Sequence, residues 1–155
     1  MQIGDLAPDF DLTADDGRTI TLSEELVNGP VVLFFYPQAM TYGCTRESCH
    51  FRDLAKEFTE LGAQRLGISV DPVEKQKKFS EKHGFDYPLL SDPTRTAAAE
   101  YGVKRSDRHP NKRATFVIDT DGTILSILHS EMFFARHADE ALDVLRARAA
   151  KLSGS

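Results

Sequence analysis

The sequence predicts an α/β fold in which helices cover both faces of a mostly parallel central sheet. Three observations lead there. Short apolar runs of strand length alternate with helix-spaced stretches from residue 31 to residue 101, the pattern of consecutive β-α units. Two turn signals, Asp15-Asp16-Gly17 and Thr120-Asp121-Gly122, lie between alternating segments and mark a hairpin toward each end of the chain. The length, 155 residues with 41% apolar and 28% charged side chains, suits a domain with its own hydrophobic core. The expected boundaries are a single domain over residues 1–152 and a frayed tail over residues 153–155.

Taken in order, Phe10–Thr13 and Arg18–Leu22 form the N-terminal hairpin, and Ser23–Val27 a helical turn ended by Asn28-Gly29-Pro30. Val31–Tyr36 is apolar throughout and reads as a buried strand. A helix is expected from about residue 42 to 61 on the stripe Phe51, Leu54, Ala55, Phe58 and Leu61, with Gly62 as its stop. Arg65–Val70 is the next strand. Asp71 is expected as the N-cap and Pro72 as the first position of a helix from Val73 to about Lys82, ended by Gly84. Tyr87–Ser91 leads to Asp92 and a short helix over about 95–101, ended by Gly102. Ala114–Asp119 and Thr123–His129 form the second hairpin and add antiparallel strands. A final amphipathic helix carries Ala138, Leu142, Leu145, Ala149 and Leu152.

Composition narrows the function classes. A formal net charge of -5 argues against a nucleic-acid binder or an acidic-membrane binder, both of which need a basic excess. The longest apolar run is far too short for a bilayer, and the N-terminus lacks the basic stretch and apolar core of a signal peptide. Two cysteines are too few for a disulfide scaffold, so a reducing cytoplasm is the expected compartment.

Those two cysteines carry the chemistry. Cys44 and Cys49 follow the carboxyl end of the Val31–Tyr36 strand, where ligands and reactions gather in open α/β sheets. With Thr41 as N-cap, Cys44 falls in the first helical turn, among free backbone N–H groups that stabilise a thiolate. Cys49 is five residues further on. Five helical steps carry its side chain well away and raise it by roughly 7.5 Å, whereas a disulfide needs Cα atoms within about 7 Å. A bond between the two therefore requires the first one or two turns to unwind. The same residues admit blander readings: a small buried thiol at 44, an incidental one at 49, or a metal site with His50. The cysteine spacing does not match a zinc knuckle, and His50, His83, His109, His129 and His137 share no spacing.

Pro37-x-x-x-Thr41-x-x-Cys44 resembles the active-site signature of peroxiredoxins, and Cys49 with Glu47 between resembles their Q-type group, the bacterioferritin comigratory proteins. The likeness extends through Gly4–Phe10, Val32–Pro37, Cys49–Asp53, Pro88–Asp92, Tyr101–Val103 and Arg113–Asp119. It implies a thioredoxin-like fold with a central mixed sheet, and thiol-dependent reduction of hydrogen peroxide and organic hydroperoxides without a cofactor. By that resemblance Cys44 attacks the peroxide, Thr41 hydrogen-bonds it, Pro37 shields the thiolate, Arg113 holds sulfur and peroxide, and Cys49 resolves the sulfenic acid as an intramolecular disulfide. Thioredoxin or a similar dithiol then reduces the disulfide. A monomer is expected, since the site is complete in one chain. One position departs from the family: Tyr42 stands where it usually has Pro, which loosens the helix start or narrows the peroxide entrance. Rival readings are a thiol–disulfide oxidoreductase, disfavoured by the long cysteine spacing, and a redox-regulated binding module or chaperone.

Overall fold

The computed structural model describes residues 1–153. In chain order its elements are β1 (Asp11–Ala14), β2 (Thr19–Thr21), α1 (Leu22–Glu25) with a 3₁₀ turn over Leu26–Asn28, β3 (Val31–Phe35), α2 (Tyr42–Asp53), α3 (Ala55–Glu60), β4 (Gln64–Ser69), α4 (Val73–His83), β5 (Leu89–Ser91), α5 (Thr96–Glu100), β6 (Ala114–Ile118), β7 (Ile124–His129) and α6 (Phe134–Ser153). The strands form one sheet in the order β2-β1-β5-β4-β3-β6-β7. Only β3–β4 and β4–β5 pair in parallel. Pairs β1–β2, β1–β5, β3–β6 and β6–β7 are antiparallel, so the sheet is mixed, as the family resemblance implied, with fewer parallel pairs than the β-α alternation alone suggested. The reason is that both hairpins join the sheet, one at each end.

Strand alternation divides the core into two halves. Val31, Leu33 and Phe35 face one side, packed with Leu22, Leu26, Ala97 and Ala98 from α1, the 3₁₀ turn and α5. Val32, Phe34 and Tyr36 face the other, against Phe51, Phe58, Phe79, Ala138 and Leu142 from the larger helices. All five residues of β3 are buried, as an unbroken apolar run requires of a strand covered on both faces. The Phe51 ring stacks on Phe34 at 4.1 Å and on Phe58 at 5.8 Å, which anchors α2 to the sheet; truncating such a ring costs about 3–5 kcal/mol.

Two expectations need correction. The helix expected over 42–61 is broken at Leu54, where φ is -96° and ψ 19°. The buried Arg65 guanidinium donates to the Phe51 carbonyl at 2.8 Å, taking the acceptor that an unbroken helix would offer to Ala55. Asp71 does not cap α4. The N-cap is Pro72, and the Asp71 carboxylate is turned inward to accept from the Ala39 N–H and the Ser69 hydroxyl, both at 2.6 Å. Ser153 is the last described residue of α6, its hydroxyl donating to the Ala150 carbonyl. The rest of the expected tail, residues 154–155, lies outside the described residues. The C-terminus of α4 follows expectation: Gly84 adopts φ 63°, a left-handed turn that suits glycine.

Candidate active site

The site forms where β3 hands over to α2. The Tyr36 hydroxyl donates to Gln76, whose amide in turn donates to Ser69 and to the Leu90 carbonyl. The loop from Pro37 to Thr41 is then held by the Ala39–Asp71 bond and reverses through Met40, which takes a left-handed φ of 70°. A non-glycine residue in that region costs of order 1–3 kcal/mol and persists only where its surroundings impose it. Thr41 sits at the expected N-cap position, but its exposed hydroxyl caps no helix N–H. It donates instead to the Gln38 carbonyl at 2.8 Å, back into the reversed loop. Pro37 is half-buried at the start of that loop.

Cys44, in the first turn of α2, is 1% exposed. Arg113, just before β6, reaches it from the sheet side. Its Nη2 donates to Cys44 Sγ at 3.2 Å while Nη1 donates to Glu47 Oε1 at 2.8 Å. Cys44 and Glu47 are three residues apart on one helix face, so one planar guanidinium fork bridges them. The fork is steadied by Phe134, whose ring lies 4.9 Å from Arg113 Cζ. Gly43 makes room for that ring: a Cβ there would lie 2.7 Å from it. Burial works against the Arg113 cation, but Glu47 and Cys44 more than offset it and raise its pKa. Burial also lifts the Glu47 carboxyl to about 8, against the opposing pull of Arg113.

Behind Glu47 stands His137 of α6, likewise 0% exposed. Its Nε2 meets the Ser130 carbonyl at 2.8 Å and its Nδ1 meets the Thr115 hydroxyl at 2.7 Å. Burial holds this imidazole down at about 4. Glu47 Oε2 lies 3.5 Å from Nδ1 and makes no hydrogen bond.

Cys49 is separate from this cluster. Both thiols are free, and Cys49 lines a groove of about 560 Å³ together with His50, Met132, Phe133 and Arg136. Burial chiefly raises the Cys49 thiol above its ordinary value. At the mouth of the helix, Tyr42 is 74% exposed and its ring lies 5.8 Å from the Arg46 guanidinium carbon. The structure therefore brings Cys44 and Arg113 together, sets Thr41 and Pro37 on the loop before them, and leaves Cys49 outside while α2 is wound.

The sequence model of the AhpC/TSA family matches residues 3–127. The chain belongs to the peroxiredoxin family. Among its relatives is peroxiredoxin Bcp of Bacillus subtilis, 38% identical over 152 residues, covering 94% of this chain and 96% of that one. Among solved structures, peroxidoxin BcpB of Mycobacterium tuberculosis superposes with a TM-score of 0.92 at 57% identity, covering 95% and 97% of the two chains. The bacterioferritin comigratory protein of Xanthomonas campestris, studied for alkyl peroxide reduction, superposes with a TM-score of 0.83 at 32% identity, covering 90% and 92%. This peroxiredoxin is thus of the Bcp/Q group. It has the thioredoxin-like fold, and it is a peroxidase acting on a peroxide with a thiol reductant. Among the described residues, no helix is long and apolar enough to cross a membrane.

Sequence reasoning left Glu47 without a role and missed Asp71 and Phe134 in this peroxiredoxin. The three-residue spacing from Cys44 to Glu47 was a usable signal. Nothing local marks Asp71 or Phe134, because their partners Ala39 and Arg113 lie 32 and 21 residues away.

Proposed function

We propose that Cys44 is the peroxide-attacking cysteine and Cys49 its resolving partner, reducing hydrogen peroxide and organic hydroperoxides with thioredoxin as the dithiol donor. The observation that carries this reading is the Arg113 fork, with one arm 3.2 Å from Cys44 Sγ in a buried pocket at a helix start. A guanidinium there stabilises the thiolate and meets the negative charge that passes from sulfur to oxygen during attack. The thiolate attacks the distal peroxide oxygen, the O–O bond breaks, and the departing oxygen leaves with the electron pair as water or an alcohol once protonated. Thr41 spends its proton on Gln38, so its lone pairs are free to accept from the peroxide hydroxyl. Pro37 screens the loop side of the thiolate.

Cys49 then attacks the Cys44 sulfenic acid, expelling water and forming the disulfide. That step needs residues 42–49 to unwind, which also removes the burial that raises the Cys49 thiol, so opening and activation of the second thiol coincide. A monomer in the cytoplasm fits this cycle, since every proposed group comes from one chain. The test is a peroxide assay with a thioredoxin system. Cys44→Ser abolishes turnover. Cys49→Ser consumes one equivalent of peroxide and stalls as sulfenic acid. Retained turnover in Cys44→Ser would overturn the assignment of the nucleophile.

A further inference from the structure

The oxidation step leaves a proton unaccounted for. A thiolate that attacks a peroxide expels an alkoxide or hydroxide, which must gain one proton. Glu47 and His137, two fully buried titratable side chains beside the nucleophile, have no part in the cycle above. This inference rests on Cys44 being the nucleophile.

The tautomer of His137 follows from its contacts. The Ser130 carbonyl can only accept, so Nε2 of the neutral ring carries the hydrogen. Nδ1 therefore presents a lone pair, which accepts from the Thr115 hydroxyl at 2.7 Å. Glu47 Oε2 lies 3.5 Å from Nδ1 and, among the described residues, has no hydrogen-bond donor. An ionised carboxylate would leave that buried anionic oxygen without a donor in a dry interior. A proton on the Glu47 carboxyl removes the charge. The surrounding charges agree. Glu47 is faced by Cys44 on its own helix, by Arg113 just before β6, by Glu131 in the loop after β7, by His137 on α6, which itself meets Thr115 and has Glu140 beyond it, and by Tyr87 before β5. Among the described residues, Arg113 is the one cation in direct contact with both potential anions, Cys44 and Glu47. One cation balances one anion.

We propose that the buried Glu47 carboxyl, held between Arg113 and the neutral His137 ring, is the proton store of the oxidation step: it holds a proton while Cys44 is a thiolate and releases it as the thiolate is consumed. Cys44 sulfur forms a bond to the distal oxygen and loses two electrons. The O–O bond breaks, and the departing oxygen takes the electron pair. The distal oxygen keeps its own hydrogen, so Cys44 becomes a neutral sulfenic acid. The departing oxygen gains one proton and the Glu47 carboxyl loses one. Arg113, relieved of the thiolate, then balances the Glu47 carboxylate through Nη1. The site keeps the same net charge before and after. Glu47 acts through Arg113 and touches neither sulfur nor peroxide in this structure, so it is a positioning residue. Burial also holds its carboxyl protonated to about pH 8, in keeping with this role.

The experiment measures proton stoichiometry. Cys49→Ser protein, which stalls at the sulfenic acid, is mixed with hydrogen peroxide in weak buffer with an indicator dye. The mixing is done at neutral pH, where ultraviolet absorbance confirms that Cys44 starts as thiolate. The expected result is no net proton uptake per sulfenic acid formed. Glu47→Gln on the same background takes up one proton more. Difference infrared spectroscopy on the Glu47-bearing protein gives a second readout that needs no folded Glu47 variant. A protonated-carboxyl band is present before peroxide and lost after it. Uptake of one proton by the Glu47-bearing protein, or a carboxylate already ionised before peroxide arrives, overturns the proton store while leaving the nucleophile standing. Absence of sulfenic acid overturns the nucleophile instead.

Discussion

The Tyr87 hydroxyl donates a 2.6 Å hydrogen bond to the Ser48 carbonyl, tying the strand side of the molecule to the middle of α2. Ser48 directly precedes Cys49, so this buried bond holds the end of the segment that must unwind for the two cysteines to meet. Removing it favours the open form. In Tyr87→Phe, loss of about 1 kcal/mol from the wound state should accelerate disulfide formation about fivefold. Stopped-flow oxidation kinetics read this directly, and an unchanged or slower rate would count against Tyr87 as a clamp.

Tyr42 affects the other end of the same segment. Replacing it with Pro presets φ at the first helical position and removes an N–H that has no helix partner. Tyr42→Pro is expected to slow disulfide formation by stiffening that turn. The Tyr42–Arg46 contact works in the same direction, so Arg46→Ala should speed resolution modestly, by about twofold for an exposed cation–π pair of about 0.5 kcal/mol. Opposite signs for the two variants are the diagnostic result.

Arg113→Lys keeps the positive charge and loses the fork. An ammonium cannot bridge Cys44 and Glu47 as the two guanidinium nitrogens do. The second-order rate with hydrogen peroxide should fall by about 100-fold or more, the scale seen when one donor is removed from a preorganised site. A fall of less than tenfold would place the stabilisation of the reacting charge elsewhere.

The contribution of Glu47 to stability should fall as pH rises through the upper neutral range. Glu47 holds its proton to about 8 when folded, against 4.5 as its ordinary value, so the folded state binds more protons between those limits and loses stability as pH climbs through them. His137 has the opposite sign. Its folded value of about 4 against 6.5 makes stability rise with pH between those limits. The two oppose each other from 4.5 to 6.5. Above 6.5 Glu47 acts without that opposition, so between pH 6.5 and 8 the melting temperature of the reduced protein should fall relative to that of Glu47→Gln, which retains Cys44. Parallel slopes in the two proteins would assign the titration to another group.

Much of the architecture was legible because it follows from local pattern. The all-apolar Val31–Tyr36 run announced a strand covered on both faces, and the Asp-Gly turns announced both hairpins. Where those hairpins attach was not legible, since pairing of β1 with β5 joins residues nearly eighty positions apart. The break at Leu54 was hidden for a similar reason. The stripe from Phe51 to Leu61 is continuous, and what interrupts the helix is a distant Arg65 that takes one carbonyl. Cys44 could be read from its place at a helix start, whereas Arg113 could be assigned only through the family resemblance. His137 looked like any satisfied histidine, and its meaning depends on which of its nitrogens meets the Ser130 carbonyl.

The break at Leu54 also bears on the working life of the enzyme. Under the proposed cycle, residues 42–49 are briefly without helical protection, and Arg46 lies in their middle. A trypsin-like protease could cut after Arg46 in the oxidised chain, leaving the pieces joined by the Cys44–Cys49 bridge, while the wound reduced chain resists. With α3 a separate helix, and Phe51 pinned by Phe34 and Arg65, this susceptibility ends within α2 and does not spread to the rest of the molecule. How long each copy survives then depends partly on how quickly the reductant lets the helix rewind.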